Sequence, residues 1–315
     1  MSDLASTSRR QLVKLLGSVP MLPLAGLGST LALPACGGSG PTGFASASFT
    51  PMAAPSLANP AAMATTSVGS ALNIGFTDGS ARRYALGYQP FFLTGTQVPD
   101  GQGGTVLAGA YYDINNRPII DSTIPGKERQ YFSDSPDGMS LLKIDQPKPV
   151  PGAKGQLVFA VVQFEYTTWA QDGVTDMYGK LPSPIAVLTL DQDPATGKLT
   201  LLRYSNVDTS VGNGLWITCA SSQSPWGTHL SSEEYEPDAF SIASNTMFKA
   251  YSQNLFGDET KANPYHYGHL PEVSVNPDGT GTIKKHYCMG RISHELIQVM
   301  PDNRTVLMGD DYVGG

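Results

Sequence analysis

Short β-prone runs separated by turn residues constrain the fold of this chain more than any other feature of its sequence. Four such runs are Gln156–Phe164, Ile185–Leu190, Leu199–Tyr204 and His294–Met300. No apolar pattern of helical period extends beyond about a dozen residues, and turn residues bound each run. The sequence therefore predicts an all-β fold of successive antiparallel hairpins, with one short helix within Glu233–Lys249.

Three turns between these runs are well specified. They are Asp191–Lys198, Asn276–Gly281 and Pro301–Asn303, where Pro, Gly, Asn and Asp provide the backbone angles of a tight reversal. Consecutive hairpins fit a sandwich, a barrel or a propeller. The sequence shows no WD-type or kelch-type repeat, so periodicity alone does not choose among the three.

Composition and charge limit the class of protein. The hydrophobic share of 40% is enough for a packed core, which excludes global disorder. The formal net charge of −7 argues against a nucleic-acid-binding surface, because such a surface needs a basic face. An acidic protein of this kind suits cation binding.

The N-terminal segment has the pattern of an export signal. Ser8–Lys14 carries paired arginines ahead of a moderately apolar run, Leu15–Leu33, that prolines and glycines interrupt. This spacing resembles a twin-arginine (Tat) signal, which the Tat export machinery reads on proteins that fold before crossing. A Sec signal is the alternative. We expect the protein to be periplasmic or at the cell surface.

Leu33–Gly37 resembles a lipoprotein processing box in which Cys36 would be lipidated and attach the protein to the membrane. Cleavage without a lipid, giving an untethered product, is equally compatible. We therefore divide the chain into a signal with a lipobox at residues 1–36, a flexible linker at 37–70 and a β domain at 71–315.

Residues that commonly bind metals gather in three clusters, Cys219–Glu236, Tyr265–Glu272 and Arg291–Asp311. The first contains a thiol, an imidazole and the adjacent carboxylates Glu233 and Glu234, a set that could bind a transition metal together with a harder cation. A buried Cys with a surface Glu pair is the alternative. Cys219 and Cys288 could also form a disulfide in an oxidising compartment, or remain thiols.

The third cluster allows a geometric argument. A reversal at Pro301–Asn303 would place His294 opposite Asp310 and Glu295 near Asp311. Carboxylates held this close repel one another, and a divalent cation such as Ca²⁺ would remove that repulsion. A solvated hairpin end, with a nearby arginine as counter-ion, is the alternative.

These residues resemble the motifs of a known family in their order and spacing. Cys219–Thr228, followed by Glu233–Glu234, is similar to the C-A-G-x-x-T-P-W-G-T…E-E signature of PhoX-type alkaline phosphatases. Gly290–Glu295 resembles the G-R-F-x-H-E element of that family, and Gly309–Asp311 resembles its G-D-D element. The chain departs from the pattern at His229, where the family has a bulky residue. The resemblance covers residues 80–315.

The resemblance implies a β-propeller phosphomonoester hydrolase with a mixed Ca²⁺ and Fe³⁺ centre in its funnel. Metal ligands would come from one thiolate and several carboxylates, and the residues that match are Cys219, Glu233, Glu234, Glu295, Asp310 and Asp311. We expect catalytic roles for Glu295, Arg291 and His294. Further ligands in such enzymes come from later blades, so we expect an incomplete propeller and an incomplete centre.

Phosphate ester hydrolysis needs cations that neutralise the phosphoryl oxygens and an activated oxygen nucleophile. We expect a monomer that acts on a phosphate ester and binds no nucleic acid. A non-catalytic propeller that binds calcium or a protein partner is the main alternative, and a Ca²⁺-dependent lactonase is a weaker one. The sequence contains no phosphate-binding loop of the P-loop type, no G-x-S-x-G elbow and no C-x-x-C pair.

Overall fold

The computed structural model describes residues 43–65 and 67–312. The predicted export signal and Cys36 lie outside these residues. The chain divides into two compact units, and the second, which contains Gly87 and all later residues, carries every predicted site residue. No helix within the described residues is long and apolar enough to span a membrane.

The first unit contains a three-stranded sheet in the order β1–β2–β3, formed by β1 (Phe44–Phe49), β2 (Ser67–Phe76) and β3 (Ala81–Gly87). β1 pairs antiparallel with residues 72–76 of β2. The interval predicted as a flexible linker, residues 37–70, therefore includes β structure. Its alternation of Phe, Ala and Ser permits strand pairing in spite of a composition that is typical of linkers.

Within the described residues, the second unit pairs its strands into two four-stranded sheets and three hairpins. The strands are β4 (Gln97–Pro99), β5 (Thr105–Leu107), β6 (Ile120–Asp121), β7 (Arg129–Gln130), β8 (Pro136–Leu142), β9 (Gln156–Phe164), β10 (Ile185–Gln192), β11 (Leu199–Asn206), β12 (Ser222–Gln223), β13 (His229–Leu230), β14 (Pro271–Val275), β15 (Gly281–Lys285), β16 (His294–Val299) and β17 (Val306–Asp310).

The first four-stranded sheet has the order β11–β10–β9–β8, and its neighbouring strands are antiparallel. β9 and β10 are buried on both faces. Side chains alternate across a strand, so Ala160 and Val162 pack into one apolar cluster while Phe159 and Val161 pack into another on the opposite face. A fully buried Val or Phe side chain contributes about 1.5–3 kcal/mol to stability.

The second four-stranded sheet has the order β12–β13–β14–β15, and the β16–β17 hairpin follows it in the chain. Both large sheets are antiparallel meanders of four consecutive strands, the arrangement of a propeller blade. The prediction of an all-β, propeller-like fold is confirmed. The strands predicted at residues 156–164, 185–190, 199–204 and 294–300 are observed with the same bounds or within two residues of them.

The helix lies later than the sequence predicted. α1 spans Thr246–Phe256, beginning after Asn245, whose side chain accepts a hydrogen bond from the backbone N–H of Phe248, and ending before Gly257 in the left-handed region. Pro237 precedes this segment and lacks the backbone N–H that a helix interior needs, which explains why the earlier part of the predicted interval is not helical.

Candidate metal centre

Five side chains that could bind a metal converge at one place in the second unit. The ligand atoms of Cys219, Glu234 and Glu295 lie within 4.8 Å of one another, and so do those of Asp137, Glu165 and Cys219. Cys219 is common to both groups. We refer to these five residues as the acidic cluster. It joins three predicted site residues to two that sequence reasoning missed.

Backbone pairing brings Cys219 and Glu234 together. Thr218 and Glu233 form an antiparallel bridge, with the N–H of Cys219 donating to the carbonyl of Ser232 at 3.1 Å and that of Glu234 donating to Ile217 at 3.0 Å. Ile217 has a φ of 33°, in the left-handed region that costs free energy for a β-branched residue. Strain of this kind persists only where the surrounding structure holds it, as at many functional sites.

Glu295 is the second residue of β16, and it reaches the cluster from the beginning of that strand. The buried Ser232 hydroxyl lies between two carbonyl acceptors, Glu295 O at 3.0 Å and Ala220 O at 2.7 Å. The backbone N–H of His294 donates to the carbonyl of Glu233 at 3.0 Å. These bonds hold the β16 backbone against the segment that carries Cys219.

Asp137 and Glu165 come from the edge of the first large sheet. Pro136 of β8 faces Phe164 of β9, so Asp137 and Glu165 lie beside each other where one strand begins and the next one ends. Gly138 permits a close approach to the Cys219 segment, because a Cβ at this position would lie 2.6 Å from the Ser221 hydroxyl. The sequence did carry one signal, an acidic residue directly after the buried run Gln156–Phe164.

Burial and repulsion between like charges disfavour the ionised form of the carboxylates in this cluster. Burial, followed by the influence of Glu165 and Glu295, raises the pKa of Glu234 to about 9. The pKa of Glu165 is raised by burial and by Asp137 and Glu295. Burial and the nearby carboxylates also raise the pKa of the Cys219 thiol. Without a cation, the protonated forms of Glu234, Glu165 and Cys219 are therefore favoured.

The donor set fits bound cations. In the part of the chain that the structure describes, no lysine or arginine forms an ion pair with any of the five residues. Carboxylate oxygens suit Ca²⁺, and a thiolate suits a softer transition metal. A cation would displace the protons and relieve the repulsion among the acidic groups.

The raised pKa of Glu234 predicts a stability that falls with rising pH in metal-free protein. The folded form keeps a proton that the unfolded form loses above pH 4.5, so unfolding becomes easier between pH 4.5 and about 9. We expect Ca²⁺ to restore the melting temperature at pH 9, and Glu234→Gln to flatten the pH dependence in chelator. Thermal unfolding measures both effects. The exposed control Glu259→Gln should keep the wild-type slope, and a flat wild-type profile would contradict the prediction.

Glu233 does not join the cluster, contrary to its predicted role as a ligand. Its side chain is fully buried and forms an ion pair with Lys285 at 2.8 Å. Its oxygens also accept from the backbone N–H of Trp216 at 2.9 Å and of Gly268 and His269, each at 3.1 Å. Protein donors therefore occupy both carboxylate oxygens. Adjacent residues point in opposite directions along an extended segment, which explains why Glu234 reaches the cluster and Glu233 does not.

Arg291 also differs from its predicted catalytic role. Its guanidinium donates to the backbone carbonyls of Tyr267 at 2.9 Å and Pro264 at 3.2 Å, and to that of Pro237. The group lies over the ring of Tyr265, 5.6 Å from its centroid. Arg291 thus connects neighbouring loops through hydrogen bonds, and its N–H groups donate to backbone carbonyl oxygens.

The predicted pairing at the start of β16 is confirmed, since His294 faces Asp310 in the hairpin. Asp310 is exposed, and Asp311 accepts a hydrogen bond from the Tyr235 hydroxyl at 2.5 Å. Neither acid belongs to the groups of side chains that lie within 4.8 Å of one another. His294 is buried with no hydrogen-bond partner for either ring nitrogen, and it occupies the strand position next to Glu295. Its ring nitrogens do not belong to either group of ligand atoms.

The loop that carries Trp226 is held by a separate acidic residue. Glu272 accepts from the Trp226 indole at 2.7 Å and the Thr228 hydroxyl at 2.6 Å. It also pairs with Lys284 at 2.9 Å and His286 at 2.7 Å. Burial alone would raise the pKa of Glu272, but these four donors lower it to about 2.

The lowered pKa of Glu272 predicts a contribution to stability that is lost in acid. This contribution is complete above pH 4.5, the value for a free glutamate, and disappears as the pH falls to about 2. We expect Glu272→Gln to remove on the order of 2 kcal/mol at pH 7 and much less at pH 2. Urea unfolding at both pH values tests this. An equal loss at the two values would show that the carboxylate charge is irrelevant.

The two cysteines within the described residues are not paired. Cys219 is half-buried, Cys288 is exposed, and both are free thiols. The disulfide that the sequence left open does not form between them. Cys219 therefore keeps a sulfur that can bind a metal once it loses its proton.

Residues 185–315 match the family model of alkaline phosphatase PhoX. The resemblance to PhoX-type phosphatases is thereby confirmed for this part of the chain. The match includes Cys219, Glu234 and Glu295, whereas Asp137 and Glu165 precede it. A search of curated proteins finds no match.

One solved structure is similar to part of the chain. It is Pseudomonas fluorescens PhoX in complex with vanadate, a transition state analogue, with 20% identity and a TM-score of 0.38. The aligned region covers 57% of this chain and 40% of that one. The chain thus spans less than half the length of the protein in that structure.

Proposed function

We propose that this chain is part of an exported, metal-dependent phosphomonoester hydrolase of the alkaline phosphatase type. The PhoX match over residues 185–315 supports the class of reaction. The observation that carries the metal dependence is the acidic cluster, where a thiol and four carboxylates approach one another without a basic partner among the described residues. The Tat-like signal at residues 1–36 supports export, with lipidation of Cys36 as part of the same proposal.

In this proposal the two halves of the cluster bind different cations. Cys219, Glu234 and Glu295 would hold Fe³⁺, since thiolates bind transition metals whereas Ca²⁺ takes oxygen ligands. Asp137 and Glu165 would hold Ca²⁺ through carboxylate oxygens, with Cys219 beside both ions. When bound, the cations would neutralise the phosphoryl oxygens of the substrate and supply an activated nucleophile.

Two tyrosine hydroxyls are influenced by the charges of the acidic cluster. The pKa of Tyr178 is raised by burial and by Glu234 and Glu165, which places its hydroxyl in the field of the cluster. A neutral phenol there can donate a hydrogen bond to an anionic substrate. Tyr235, held through its hydroxyl by Asp311, borders the same region, because the charge of Glu234 contributes to its raised pKa.

The alternative is a non-catalytic propeller that binds calcium or a protein partner, and in such a protein Cys219 and Cys288 would be free to form a disulfide. The free Cys219 supports the hydrolase instead, since a calcium site is built from oxygen ligands and does not need a thiol beside the four carboxylates.

The test combines metal analysis with an activity assay. The purified protein, loaded with Ca²⁺ and Fe³⁺, should retain both ions and hydrolyse a chromogenic phosphate monoester, and chelation should abolish hydrolysis. Glu295→Gln should lower both iron content and activity, whereas the exposed control Glu259→Gln should match the wild type. Calcium binding without iron or hydrolysis would favour the non-catalytic alternative, and cleavage of lactones in preference to phosphate esters would favour a lactonase.

A further inference from the structure

A chain of buried hydrogen bonds ends on the backbone carbonyl of Cys219. His229 of β13 is completely buried and contacts two polar side chains of the first large sheet. Its Nδ1 lies 2.9 Å from the Ser140 hydroxyl on β8, and its Nε2 lies 2.9 Å from Oε1 of Gln163 on β9. The Gln163 side-chain nitrogen in turn donates to the carbonyl of Cys219.

For a neutral His229, only one arrangement of protons gives every one of these hydrogen bonds a donor and an acceptor. A backbone carbonyl can only accept, so Gln163 must direct its NH₂ group at Cys219 and its oxygen at His229. His229 must then carry its proton on Nε2 and accept at Nδ1 from the Ser140 hydroxyl. The direction of every bond follows from the carbonyl of Cys219.

The environment keeps this histidine in the required neutral form. Burial lowers the pKa of His229 to about 3, so the ring stays uncharged at any pH where the protein works. A neutral imidazole with both nitrogens bonded is fixed in tautomer and orientation. The bond chain therefore joins β13 to the first large sheet without a titrating member.

We propose that His229 is a positioning residue that, through Gln163, fixes the backbone of Cys219 and so directs its sulfur into the acidic cluster. This inference rests on the proposed role of Cys219 as a metal ligand. The geometry supports it because Gln163 is the one side chain among the described residues that donates to the Cys219 carbonyl. The other bonds of the Cys219 backbone are to backbone groups, from its own N–H to Ser232 at 3.1 Å and from the Gly138 N–H to its carbonyl at 3.4 Å. Partners that orient a metal ligand commonly change metal affinity about 10- to 100-fold when removed.

The test uses Co²⁺ as the probe, in a background where Cys36→Ser and Cys288→Ser leave Cys219 as the single thiol. His229→Leu keeps an apolar filling but cannot donate to Gln163, and we expect it to weaken Co²⁺ binding about 10- to 100-fold and to reduce the sulfur-to-cobalt charge-transfer absorption. His229→Gln can still donate an N–H and should bind nearly as the background protein does. His269→Gln is the matched control, because His269 is a buried histidine whose two ring nitrogens lie at the carbonyls of Gly290 and Tyr265 and make no bond to Cys219 or Gln163.

A second measurement needs no metal. The rate at which a small alkylating reagent modifies Cys219 in metal-free protein reports the position of its sulfur, and His229→Leu should change it severalfold while His269→Gln does not. Gln163→Met removes the hydrogen bonds that join Gln163 to His229 and to the Cys219 carbonyl. This variant replaces His229→Leu in the test if His229→Leu does not fold. The double variant should change the alkylation rate no more than either single variant does, because both substitutions interrupt the same series of hydrogen bonds.

The results separate the two proposals. If the background protein itself fails to bind Co²⁺, the proposed metal role of Cys219 is wrong, while the alkylation rates still decide whether His229 positions it. If folded His229→Leu and Gln163→Met both keep wild-type affinity and alkylation rate, His229 has no positioning role. If His229→Leu lowers the melting temperature but leaves the Co²⁺ affinity and the alkylation rate of Cys219 unchanged, His229 only stabilises the fold and does not position Cys219.

Discussion

Replacing Cys219 by serine should remove iron from the protein and lower phosphate ester hydrolysis by more than about 100-fold, since even outer partners of metal ligands contribute about 10- to 100-fold. Cys219 is the one residue shared by both ligand groups of the acidic cluster. A serine hydroxyl is far less acidic than a thiol and does not replace a thiolate as a soft ligand. Iron content and turnover with a chromogenic phosphate monoester measure the effect.

Cys288→Ser is the matched control for this substitution. Cys288 is an exposed free thiol in the same unit, and it belongs to neither ligand group. We expect wild-type iron content and turnover from this variant. Equal losses in the two serine variants would show that the cysteines act as a pair, and would contradict the assignment of Cys219 as a ligand.

Replacing Lys285 by methionine should destabilise the protein by about 3–5 kcal/mol, because it leaves the carboxylate of Glu233 buried without its partner. The Lys285 ammonium is buried and donates to Glu233 at 2.8 Å and to the carbonyls of Gly214 at 3.0 Å and His266 at 2.9 Å. Burial lowers the pKa of Lys285, while Glu233 favours its charged form. Urea unfolding measures the loss.

Lys284→Met on the same strand is the control. Lys284 pairs with Glu272 at 2.9 Å, but its own side chain is 66% exposed, so its removal should cost no more than about 1 kcal/mol. The double variant Glu233→Gln, Lys285→Met should be more stable than Lys285→Met alone, since it removes the unpaired charge. If the two lysine variants are equally stable, the buried pair is unimportant.

The Lys285–Glu233 pair also affects the candidate site through the backbone. Glu233 directly precedes Glu234, and its carboxylate anchors the segment that places Glu234 beside Cys219. Loss of the pair should therefore weaken metal binding in protein that remains folded. The predicted ligand Glu233 thus contributes to the site as an anchor for its neighbour.

Part of this protein could be predicted from its sequence because the signals are local. Alternation and turn chemistry predicted β9, β10, β11 and β16, and the Pro301–Asn303 reversal predicted the pairing of His294 with Asp310. Motif order singled out Cys219, Glu234 and Glu295, because these residues lie in short segments with recognisable spacing.

Only the tertiary structure decided which acids share a site. Asp137 and Glu165 join Cys219 across 54 or more positions of sequence, through the pairing of β8 with β9 and the packing of that sheet edge against the Cys219 segment. Glu233 and Arg291 turn instead toward Lys285 and toward backbone carbonyls. The spacing of residues in a sequence shows which of them are close along the chain. The direction of each side chain depends instead on which buried charges and carbonyl groups need a hydrogen-bonding or ionic partner.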